Sequence, residues 1–113
     1  MLINNKNILL KVLKTLEENY KEYKKEGFNT DSTLFGWYDI LNKFAEIEHK
    51  SIMQVILEKS TQRIELSLAM LLQLKHVTDQ KERVNKIFKD LFNYYVKHDK
   101  LDKSSLLIDI IMG

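Results

Sequence analysis

The sharpest hint of chemistry in this chain is Glu46-Ile47-Glu48-His49. A Glu-x-x-His step on a helix puts a carboxylate and an imidazole on one face, the half-site from which di-iron bundles are built. Such a centre needs a second Glu-x-x-His and two further carboxylates. The positions three before His76 and His98 are Gln73 and Tyr95. The step therefore reads as a solvated helix end, and no metal ligand or cofactor is assigned. His76 and His98 are each expected near a helix end, where an imidazole interacts with the last carbonyls. The chain has no cysteine, which removes thiolate metal sites, disulfides and a cysteine nucleophile. No Gly-rich phosphate loop, nucleophile elbow or zincin motif occurs. No catalytic residue is assigned, and an enzyme is not expected.

Binding chemistry is better represented. Between Lys81 and Lys103 the basic residues Lys81, Arg83, Lys86, Lys89, Lys97, Lys100 and Lys103 outnumber Glu82, Asp90, Asp99 and Asp102, with Tyr94 and Tyr95 interleaved. Cations beside aromatic rings can grip a nucleic-acid backbone and stack on bases. Lys86, Lys89, Tyr94, Lys97 and Lys100 are the candidate contacts for that reading, in which the chain is a small helical subunit of a nucleoprotein assembly touching RNA or DNA backbone. The competing reading puts the tyrosines in the core and the mixed charge on a solvated face.

The other signal is apolar surplus. Phe35 and Trp37 do not both fit the narrow stripe of Leu34, Tyr38 and Leu41, and Ile108 and Met112 extend the apolar surface of a very short segment. Contiguous apolar patches left on a surface mark partner sites. Phe35, Trp37, Tyr38, Ile108 and Met112 are thus candidate interface residues of a non-enzymatic interaction protein: an adaptor, inhibitor or immunity-type factor that binds a protein partner or forms a homo-oligomer. Trp37 is the best single anchor, since tryptophan is enriched at binding hot spots, but it fits a bundle core equally well.

The elements that must position these residues are helices. Proline is absent and glycine occurs three times, so the usual punctuation of turns and hairpins is nearly missing. Leu9, Leu13, Leu16, Tyr20 and Tyr23 form one stripe of a helix over about 5–26, closed by Gly27. Asn29 to Ser32 can cap a second helix over about 31–48, in which Gly36 marks either a close approach of helices or a later start. Ser51 to Leu74 is apolar on more than one face and is divisible at Ser60-Thr61, so it is one helix or two. Asp79 and Glu82 have capping-box spacing before a helix over about 80–98. Asp102 then opens a short terminal helix carrying Leu106, Leu107, Ile110 and Ile111.

These elements predict an all-α fold, a single-domain bundle of four to five helices over residues 1–113. A chain of 113 residues, 44% hydrophobic and 30% charged, suits one modest core and lies far from the composition of disordered segments. The net charge of +2 selects neither a nucleic-acid partner nor a DNA mimic. No secretory signal or membrane-spanning run is visible, so a cytoplasmic location without membrane partners is expected.

Overall fold

A computed structural model describes residues 5–98 of the chain. They form five α-helices, α1 Lys6–Glu26, α2 Asp31–Glu48, α3 Ile52–Lys59, α4 Ile64–Val77 and α5 Lys81–Lys97, with no strand among the described residues. The all-α helical bundle expected from the periodicity is the fold observed. The short helix expected after Asp102 lies outside the described residues. By contacts the chain divides into two compact units, one up to Gln62 and one from Arg63 onward.

The first unit holds α1, α2 and α3, with α1 packed on α2 and α2 on α3. Local chemistry sets the limits of α1. The Asn5 side chain accepts hydrogen bonds from the backbone N–H groups of Asn7 and Ile8, at 3.0 and 3.3 Å, which satisfies two of the donors orphaned at a helix start. At the other end Gly27 adopts φ 79°, the left-handed conformation that costs glycine least. The N–H of Gly27 bonds to the Lys24 carbonyl and that of Phe28 to the Tyr23 carbonyl, the pair of bonds that defines a Schellman stop. The rings of Tyr23 and Phe28 meet edge-on at 6.2 Å as its apolar clasp.

α2 is continuous through Gly36, so the later start is ruled out. A methyl added at Gly36 would meet the two Leu16 methyls at 3.5 and 3.6 Å, ordinary contact distance. The helices approach there without the glycine being required. Asn29 supplies the entry contact, its Oδ1 accepting from the N–H of Asp31 at 2.8 Å. The core of this unit is Leu9, Leu13, Tyr20, Leu34, Trp37, Tyr38, Leu41, Phe44, Ile52, Val55 and Ile56.

The second unit packs α4 against α5. α4 buries Ile64, Ser67, Leu68, Met70, Leu71 and Leu74, more than one stripe, in line with the broad apolarity of its sequence. α5 is amphipathic, burying Val84, Ile87 and Leu91. Its start corrects the sequence reading. No side chain caps α5, and the Asp79–Glu82 box does not form; instead Thr78 Oγ1, one residue earlier, accepts from the N–H of Gln80 at 3.1 Å. A threonine hydroxyl two residues before the N–H it holds forms a local turn that displaces the box. A true capping box occurs at α3, between Ser51 and Gln54.

Two substitutions test this packing. Leu71 is fully buried, so Leu71→Ala should destabilise by roughly 2–5 kcal/mol in urea unfolding through the cavity it leaves. A loss below about 0.5 kcal/mol, the scatter of surface changes, would mean α4 is not core. Gly36→Ala should stabilise the protein by about 0.5–1 kcal/mol, because mid-helix glycine carries that entropic cost and the added methyl has room; a lowered melting temperature would show that the Leu16 contact does not relax.

Candidate interaction surfaces

The first unit is organised around a buried carboxylate. Glu17 lies in phase with Leu13 and Tyr20 on α1 and is 1% exposed. Its Oε2 accepts from Trp37 Nε1 on α2 at 3.2 Å and from Ser60 Oγ at 3.0 Å. Its Oε1 accepts from the backbone N–H and the hydroxyl of Thr61, both at 3.2 Å. Four donors around one carboxylate offset its removal from water. The same bonds divide the 51–74 stretch into two helices: Thr61 gives its N–H to Glu17 rather than to a helical carbonyl, and residues 60–63 leave the helix.

This arrangement corrects two interface candidates. Trp37 is fully buried with its indole N–H on Glu17, and Tyr38 is 6% exposed, so both belong to the core. A buried tryptophan needs an acceptor for its one N–H, and the inward-facing Glu17 provides it. Phe35 sits about 200° around the helix from Trp37 at 100° per residue, and it stays 41% exposed. On α1, Ile8, Leu10, Val12 and Tyr23 are also exposed, Ile8 and Val12 one turn apart beside the buried stripe. Phe28, at 60%, is the most exposed large apolar residue among those described, and its ring meets that of Tyr23 edge-on. Ile108 and Met112 lie outside the described residues.

The Glu46–His49 step does not form a shared ligand face. His49 ends α2 in a left-handed conformation, φ 55°, and both it and Glu46 are exposed. Glu48, between them, is the residue drawn inward: Lys59, Lys6 and Lys50 approach its carboxylate at 3.1, 3.4 and 3.7 Å. The hydrogen bond from Lys59 holds the Glu48 carboxyl below the ordinary glutamate range, against the opposing effect of burial. A carboxylate at a helix C-terminus is disfavoured by the helix dipole, and the three ammonium groups offset it. Among the described residues no three His, Asp or Glu side chains gather to hold a metal.

In the second unit the candidate lysines lie on the outer side of α5, whereas Tyr94 continues the helical spacing of the buried Val84, Ile87 and Leu91. Lys86, Lys89 and Lys97 are exposed, Lys86 pairing with Asp90 at 2.9 Å, and Tyr94 is half-buried. Lys100 lies outside the described residues. Sequence reasoning missed the partner of Tyr94. His98, one turn on, stacks on its ring at 4.2 Å between centroids and 26° between planes, while its Nδ1–H donates to the Tyr94 carbonyl at 2.8 Å. An aromatic and a histidine spaced i, i+4 were the available signal. Tyr95 meets Tyr94 edge-on at 5.6 Å, and burial, with the charges of Tyr94 and Glu65, pushes its hydroxyl above the ordinary range.

Glu17 generates the prediction here. Glu17→Ala orphans buried donors at about 1–3 kcal/mol each, so urea unfolding followed by Trp37 emission should show a loss of at least about 2 kcal/mol, with Glu17→Gln intermediate. Unchanged stability in Glu17→Ala would mean that the hub contributes nothing to the fold. Comparison of this chain with protein-family models, with curated proteins and with solved structures finds no match.

Proposed function

We propose that this chain is a non-enzymatic helical interaction protein, an adaptor, inhibitor or immunity-type factor, that binds another protein through apolar side chains of its first unit. The observation that carries the reading is the exposure of Ile8, Val12 and Tyr23 on α1 and of Phe35 on α2. Ile8 and Val12, one turn apart, stand side by side on α1, and Tyr23 shares their helical phase about 16 Å further along, beyond Thr15 and Asn19. Exposed apolar neighbours of this kind mark partner sites, and aromatic side chains are enriched in interface cores. The anchor has moved relative to the sequence reading: Trp37 serves the core, and Phe35, on the opposite side of the same helix, takes its place.

The test separates binding from folding. Val12→Ser and Phe35→Ser should each change stability by no more than about 0.5 kcal/mol, as exposed positions do. Combined, they should remove a protein that co-purifies with the tagged wild-type chain from its native host, identified by mass spectrometry. Capture unaffected by the double substitution would sink this assignment.

A further inference from the structure

We propose that the protein partner carries an acidic segment, one of whose glutamate or aspartate side chains seats in a cleft lined by Asn7, Leu10, Lys11, Lys14 and Thr61. The inference rests on the protein-binding reading of the first unit and names the chemistry of the partner. The lining residues of α1 belong together by register. Asn7 and Lys11 stand one turn apart, as do Leu10 and Lys14, and Lys11 precedes Lys14 by three residues, so all are neighbours on the helix surface. Thr61 closes the other side from the segment after α3, held by the bonds of its N–H and hydroxyl to Glu17. The cleft has a volume of about 380 Å³, room for one or two side chains.

Charge selects the occupant. Lys6, Lys50 and Lys59 are engaged by Glu48, and Lys21 donates to Gln62. Lys11 and Lys14 are exposed and have no carboxylate within ion-pair distance among the described residues. The Glu17 carboxylate bonded to Thr61 is already met by four donors and is outnumbered by the two ammonium groups. An anion between Lys11 and Lys14 removes the repulsion of like charges on one helix face. What favours an acidic side chain over a free anion or a nucleic-acid phosphate is the apolar surround. Leu10 lines the cleft, and the exposed Ile8 lies three residues before Lys11, with Val12 one turn beyond Ile8. A glutamate lays its methylenes on Leu10 and its carboxylate on the ammonium groups, while apolar side chains beside it in the partner cover Ile8 and Val12. A phosphate backbone would leave those apolar side chains in water.

The experiment is a titration of the isotope-labelled full chain, read by backbone amide NMR shifts. The probes are a peptide of about 12 residues repeating Leu-Glu-Glu, its Leu-Lys-Lys counterpart and an oligo-dT of similar length, which differ in charge and apolar content. The acidic peptide should shift the amides of Asn7 to Lys14 and of Thr61, and its affinity should fall as salt rises from about 50 to 200 mM. Lys11→Gln and Lys14→Gln should each weaken it about three- to fivefold, the upper range for a partly exposed ion pair, with the melting temperature unchanged. Lys11→Glu combined with Lys14→Glu should transfer the preference to the Leu-Lys-Lys peptide. Shifts confined to other residues, oligo-dT binding as tightly as the acidic peptide, or full affinity in the combined Lys11→Gln and Lys14→Gln variant would each overturn the proposal. The two readings fail separately. Native-partner capture lost with Val12→Ser and Phe35→Ser but kept with Lys11→Gln and Lys14→Gln overturns the acidic segment alone. Capture insensitive to Val12→Ser and Phe35→Ser but lost with the lysine substitutions overturns the apolar reading and supports the acidic one.

Discussion

A carboxylate taken out of water has to be surrounded by donors, and in this protein that constraint falls on Glu17. Its four hydrogen bonds come from α2 and from the segment after α3, so one side chain on α1 ties together the parts of the first unit that are furthest apart in sequence. Apolar packing turns the stripe of Leu34, Trp37, Leu41 and Phe44 inward, and the buried acid adds a directional contact to it. A charge-assisted bond to an indole N–H fixes the rotation of α2 about its axis. With Trp37 turned inward, Phe35 is necessarily turned outward.

The two ionic clusters of the first unit show how burial changes the meaning of the same residue type. Glu17 is satisfied by neutral donors inside the core, while Glu48, at a helix end, is held by three lysines at the boundary with solvent. The first kind of site specifies geometry. The second moderates an unfavourable charge at the negative end of a helix and is screened by salt.

The described residues of the second unit form two helices packed together, with a charged outer side on α5. Its distinctive feature is a local one, the ring of His98 laid on that of Tyr94 one turn earlier. Capping the last carbonyls is a common task for a histidine at a helix end.

The sequence by itself determined the helices, because periodicity and end signals act through neighbours three and four residues apart. The stripe of Leu9, Leu13 and Tyr20, the stop at Gly27 and the amphipathic pattern of α5 are all legible at that range. It also contained a trace of the hub, a glutamate in phase with the buried stripe of α1, but a charged residue in phase with leucines is not distinguishable from one at the stripe's edge until its donors are known. The failed box at Asp79 shows the limit of local reading: Thr78 competed for the same turn and won. What only the tertiary structure decided was direction. Trp37 and Phe35 are both apolar and two residues apart, and composition could not say which faced inward. Trp37 shares the helical phase of Leu34, Leu41 and Phe44, and its burial is completed by an acceptor twenty positions away in sequence, because a buried N–H must find a partner and Glu17 provides it.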